Sequence, residues 1–241
     1  MMSTEIVIMQ HGQAACDLSG IVGGERGDTG LTRDGRRQAA LRAIAMGDEA
    51  DKEPFVRVYS GSRPRQRETA RIVAAVLAVP LHGDQALICQ RYGHELDEQP
   101  WAEVYRMLGG APSSVPDASV GRGGESWNKY VARLAAALKR LIALHPGQRI
   151  IVVGDIGHVD GSLRLFAADQ DQSGLGGGSA RQPAGLTCWR ELPHAGQVQA
   201  AGIRWCLLHH GTPLGADGEP ATGFEPAGEP ISPGVPGEAE R

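Results

Sequence analysis

Ile6-Val7-Ile8-Met9-Gln10-His11-Gly12 is an apolar run that stops at a histidine followed by a glycine. Four consecutive apolar residues between polar ones suit a central parallel strand covered on both faces, and the glycine lets the backbone turn sharply just past the strand's carboxyl end. That edge is where open α/β sheets bind ligands. Taken alone, His11 reads as an ordinary loop histidine, and its weight depends on the rest of the chain.

The same pattern recurs. Val56-Arg57-Val58-Tyr59-Ser60 is a second short strand ending in small polar residues, and Ile150-Ile151-Val152-Val153-Gly154-Asp155 is the most strongly apolar one, again ending in a polar side chain. Between them the apolar spacing predicts helices over 32–47, with Thr32 as N-cap, over 65–79, and over 127–144, which stops at His145-Pro146-Gly147. A further helix is expected over 159–167, and two last strands over 186–189 and 203–210. Strand and helix alternate, which makes the chain an α/β protein.

The connections differ in character. Residues 20–30 contain five glycines in eleven positions, so the loop after His11 is expected to be mobile and exposed. The Gly-, Pro- and Ser-rich stretch 109–124 reads as an excursion over the sheet that forms a lid or wall of a site. Gly174 to Gly178 is glycine-rich but follows a helix and lacks Lys-Ser/Thr, so it reads as a loop and not as a phosphate cradle. From 211 to 241, Gly, Pro, Glu and Ala dominate, and a disordered tail is expected after a single domain over 1–210.

Composition narrows the function classes. Lys+Arg 24 against Asp+Glu 28 gives a net charge of -4 with no long basic run, which argues against nucleic-acid and anionic-membrane partners. A small-molecule substrate is expected, and a second copy of the chain is a further candidate partner. No apolar run reaches the roughly 18 residues of a membrane span, and no basic-then-apolar leader pattern is seen, so the expected location is cytoplasmic. Cys16, Cys89, Cys188 and Cys206 show no metal-ligand spacing and are expected as reduced thiols; no metal and no cofactor is called for.

Five landmarks then occur in one order: His11-Gly12-Gln13 after a strand, Leu31-Thr32 with Gly35 and Gln38-Ala39, Tyr59-Ser60 with Arg65 and Thr69-Ala70, Gly124-Glu125-Ser126, and the strand ending at Asp155. In these the chain resembles the histidine phosphatase superfamily, the phosphoglycerate mutase-like proteins, over about residues 5–210. The resemblance implies a three-layer sandwich: a mostly parallel central sheet with helices on both faces and a phosphate pocket at the strands' carboxyl ends. It also implies a histidine nucleophile in an Arg-His-Gly motif, a second phosphate-binding arginine, a second histidine and a carboxylic acid that protonates the leaving group.

Carried over residue by residue, His11 matches the nucleophile and Arg65 the second arginine. The motif's arginine is Gln10, the acid is Cys89, the second histidine is Asp155, and the loop's phosphate-contacting positions are Ala14 and Asp17. Losing a charge-assisted partner of a bound anion typically costs ~2–5 kcal/mol, so these changes weaken dianion binding by orders of magnitude. The leading expectation is therefore an enzyme with a repurposed pocket. In it Asp155 hydrogen-bonds His11, raises its pKa and makes it a general base, Cys89 is a minority candidate nucleophile, and Gln10, Arg65, Asp17 and Glu125 contact substrate. Weak phosphatase activity through a phospho-His11 intermediate, and a non-catalytic binding or regulatory module, are the alternatives; His158, Arg63 and Arg91 are candidates to restore the lost cations.

Overall fold

A computed structural model describes residues 3–48, 53–166, 183–191 and 205–212. Its strands are β1 (Glu5–Gln10), β2 (Phe55–Ser60), β3 (Leu81–Gly83), β4 (Arg149–Gly154), β5 (Leu186–Glu191) and β6 (Trp205–Thr212). Its α-helices are α1 (Ala15–Leu18), α2 (Arg33–Gly47), α3 (Pro64–Val76), α4 (Trp101–Leu108), α5 (Trp127–Leu144) and α6 (Ile156–Phe166).

The strands form one sheet in the order β3-β2-β4-β1-β5-β6. The first four are mutually parallel, and β5 and β6 extend the sheet antiparallel. The unbroken aliphatic run of β4 sits between β2 and β1 with every residue buried, as a strand covered on both faces must. Alternation sorts its side chains. Ile150 and Val152, with Ile6 and Ile8 of β1, pack on Tyr130, Leu134 and Leu138 of α5. Ile151 and Val153, with Val7 and Met9, pack on Ala43 of α2 and Ala70 and Val73 of α3. Each fully buried aliphatic side chain is worth ~1.5–3 kcal/mol, so these two layers are the main source of stability. The three-layer α/β sandwich is the expected one.

Local signals explain the helix starts. Thr32 Oγ1 accepts from the Gly35 amide at 2.9 Å, as its N-cap assignment requires, and Ser126 Oγ caps α5 by accepting from Lys129 N. Helix α6 begins at Ile156, three residues ahead of its sequence-based start, immediately after Asp155.

The loop after His11 corrects the expectation of a mobile, exposed segment. Cys16, Val22 and Asp28 are buried within it. Asp97 fastens it by accepting hydrogen bonds from the amides of Gly24, Arg26 and Gly27 at 2.8, 2.8 and 3.1 Å. The glycines serve close approach here: a Cβ on Gly12 would lie 2.2 Å from the Gly35 carbonyl oxygen, and one on Gly35 would lie 2.1 Å from that of Gln13.

Cys16 and Cys89 are free thiols, and both are buried, as is Cys188. No helix among the described residues is long and apolar enough to cross a membrane, and no metal-ligating group of three side chains occurs among them. Strand β6 runs to Thr212, past the expected domain end at 210. The glycine run 174–178 and the tail 213–241 lie outside the described residues.

Candidate active site

The register of β1 on β4 pairs Gln10 with Gly154, so His11 and Asp155 leave two adjacent strands side by side. Ser60 of β2 pairs with Val153, and the chain turns from it into α3, which carries Arg65. Three parallel strands thus end in one row, and their first polar side chains converge on a cavity of about 230 Å³ lined by Gln10, His11, Asp17, Arg65 and Asp155. Its walls are aromatic: Tyr92 and Trp101 on one side, Trp127 and Tyr130 of α5 on another. Ala111, Pro112 and Ser113 complete the rim, which places the 109–124 excursion where its composition put it.

His11 is buried and its tautomer is fixed. Arg65 Nε–H donates to Nε2 at 3.1 Å, so Nε2 holds the lone pair, and Nδ1–H donates to the Gly12 carbonyl at 2.8 Å. Burial lowers the His11 pKa, with the Arg65 charge adding to it, against smaller opposing contributions from Asp17 and Asp155. Asp17, within α1's single turn, lies 3.8 Å from Nδ1 and accepts from the Ala14 amide at 3.2 Å.

Arg65 spends its donors within the protein. Nη1 donates to Asp28 Oδ2 at 2.7 Å and to the Gly23 carbonyl at 3.0 Å, and Nη2 donates to Cys89 Sγ at 3.2 Å. Asp28, whose side chain is fully shielded, is the residue that sequence reading missed. Its only signal is a carboxylate inside a glycine-rich loop.

Asp155 corrects the expected His11 pair. Its imidazole partner is His158, one turn further along α6, with Nδ1 at 2.8 Å from Oδ1; Tyr130 OH donates to the same oxygen at 3.2 Å. The i, i+3 spacing at the start of a helix favours this local partner over one on another strand. Burial alone would raise the Asp155 carboxyl, but the His158 hydrogen bond and charge, with Arg65 and His11 adding, hold it well below the usual carboxylate range. His158 is itself fully buried and supports Asp155 from behind. The expected rise in the His11 pKa is likewise reversed.

Two further expectations change. Burial pushes the Cys89 thiol up despite Arg65 beside it, so it is a neutral hydrogen-bond acceptor and not an activated nucleophile. Glu125 does not line the cavity and forms a two-oxygen pair with Arg133 at 2.9 and 2.7 Å, which anchors α5 to the 86–91 segment.

A histidine at the carboxyl end of a parallel strand, backed by an arginine from the helix after β2, two strands away in the sheet, is the arrangement of the phosphoglycerate mutase-like class of α/β proteins. The chain belongs to the histidine phosphatase superfamily (branch 1), which it matches over residues 6–175. It is 30% identical over 154 residues to a metal-independent phosphoserine phosphatase of Arabidopsis thaliana, covering 62% of this chain and 63% of that one. It is also 30% identical over 156 residues to phosphoglycerate mutase-like protein 4 of the same plant, covering 62% and 65%. The matches thus span a little under two thirds of these relatives' lengths. Among solved structures, mycobacterial hydrolase 1 superposes with a TM-score of 0.68 at 22% identity, covering 86% of this chain and 98% of that one. A mycobacterial glucosyl-3-phosphoglycerate phosphatase in complex with VO3 gives 0.66 at 20%, covering 84% and 96%. These two show the shared fold.

Proposed function

We propose that the protein is a slow, histidine-dependent phosphomonoester hydrolase, in which His11 Nε2 accepts the phosphoryl group of a small ester and water then releases it. The tautomer of His11 carries this reading. A neutral imidazole with Nδ1–H tied to the Gly12 carbonyl presents its Nε2 lone pair beside the guanidinium of Arg65. As Nε2 bonds to phosphorus and the ester P–O bond breaks, Nδ1–H stays on the Gly12 carbonyl, which supports the charge that develops on the ring. Arg65 then turns from Nε2 to the phosphoryl oxygens. The relatives named above as phosphatases support the reaction class.

Two features make turnover slow. Asp155 lines the cavity as a carboxylate held ionised, so it repels a phosphate dianion and has no proton for the leaving group. The Cys89 thiol, pushed up by burial, is a poor donor in its place. The leaving oxygen therefore departs as an anion, and esters of acidic alcohols such as aryl phosphates react faster than alkyl phosphates.

General-base chemistry by a His11–Asp155 pair loses its geometric support once Asp155 is bonded to His158. A non-catalytic binding module has one observation in its favour, the full engagement of Arg65 with Asp28, Gly23 and Cys89. Incubation with an aryl phosphate followed by alkaline quench separates the two. Acid-labile phosphate on the protein that disappears in His11→Ala supports phosphoryl transfer; none at any concentration, with unchanged saturable binding of that ester, leaves the binding module.

A further inference from the structure

A second and larger cleft, of about 560 Å³, lies beside the first, and Tyr92 lines both. Its walls come from the turn between β2 and α3 (Ser62, Arg63), the segment after Cys89 (Arg91) and His94. Arg63 and Arg91 are both lining cations, and neither guanidinium has a carboxylate within ion-pair distance among the described residues. The Nε of Arg63 is moreover shut off from solvent without an acceptor.

The acidic side chains nearby do not cancel these charges. Asp97 lines the cleft, but its oxygens are taken by three backbone amides and its charge is faced by Arg26 at 3.7 Å. Glu125, beside the Arg91 amide, is held by Arg133. Glu25 remains on the exposed rim, and Glu95, whose carboxylate lies against Gly93, accepts from the Arg122 amide. Arg63 also stands one residue before α3, so its charge adds to the positive end of a 13-residue helix.

We propose that this cleft is an anion-binding site for the phosphate group of a small organic phosphate, distinct from the His11 cavity. Two guanidiniums suit a doubly charged tetrahedral oxyanion better than a single carboxylate, because each offers a fork of N–H donors. The volume admits a small molecule attached to that group. Ser62, whose hydroxyl donates to Gln85 Oε1 at 3.1 Å, and His94 supply further polar contacts on the same wall.

Titration of the full chain with inorganic phosphate, followed by backbone amide NMR, tests the assignment. The expected result is saturable movement of the Ser62, Arg91 and His94 amides that persists in His11→Ala. Affinity is expected to fall about tenfold in Arg91→Gln and further in Arg63→Gln/Arg91→Gln. Arg91 is exposed, so the single variant leaves the fold intact and reads the site if the double variant does not fold. Acetate, the carboxylate arm, is expected to bind more weakly than phosphate. Movement confined to His11 and Gly12, affinity unchanged in Arg91→Gln, or acetate binding as tightly as phosphate would each overturn the proposal.

Discussion

His11 is held neutral by its surroundings, and this fixes a pH signature. Its folded pKa lies below the ordinary ~6.5 of an unfolded chain, because burial and then Arg65 disfavour the imidazolium. The unfolded state therefore takes up a proton first: the contribution to stability is complete above pH ~6.5 and is lost as pH falls from there through the folded value. Denaturant unfolding at pH 7.5 and 5.5 checks the sign, and His11→Gln should flatten the difference. Any His11-dependent turnover is expected to persist below pH 6.5 for the same reason, which a pH–rate profile on an aryl phosphate reads. Charge repair is the complementary prediction: Gln10→Arg with Asp155→His should raise that turnover at least about tenfold, since each change replaces a missing or repelling contact worth ~2–5 kcal/mol. Unaltered turnover in a folded double variant would show that these positions do not limit the reaction. His11 and Arg65 were legible in the sequence because strand ends and the start of α3 put them there. The partner of Asp155 was not, since a choice between two imidazoles within reach is made by side-chain geometry that spacing does not encode.

At the scale of elements, glycine sets how closely the His11 loop approaches α2. A methyl group on Gly12 or Gly35 meets backbone carbonyl oxygen at about 2 Å, and backbone cannot yield as a side-chain end does. Gly35→Ala is expected to cost ~1–3 kcal/mol in denaturant unfolding and to displace the loop, seen as amide shifts at Gln13 and Thr32. Ser126→Ala removes only a cap on α5 and should cost ~1 kcal/mol with no such shifts. Helix and strand positions were readable because apolar periodicity reports burial directly. The loop over 12–30 was misjudged because glycine content speaks of conformational freedom, whereas here most of the loop's glycines let side chains such as Asp97, Arg65 and Glu68 come close to the backbone.

Across the whole molecule, the sheet is held at its edge opposite the cavity by one carboxylate. Glu5 opens β1, is 2% exposed, and joins Arg149 of β4 at 2.8 Å to Arg190 of β5 at 2.9 Å. Glu5→Gln weakens the charge-assisted hydrogen bonds from Arg149 and Arg190 and should cost ~1–3 kcal/mol, measured as a fall in the denaturation midpoint with unchanged steepness. The parallel-to-antiparallel change at β1 was not legible in the sequence, because β5 reads equally well in either direction. Asp97 has a different kind of consequence. Its two oxygens clasp the amides of Gly24, Arg26 and Gly27 from seventy or more residues away, so opening of this loop is coupled to detachment of the 94–100 segment. Those three protons should therefore exchange with deuterium as a group and at a common rate. In Asp97→Asn the group should come apart, with each amide opening on its own, and the wall shared by the two clefts would begin to breathe independently of the sheet beneath it.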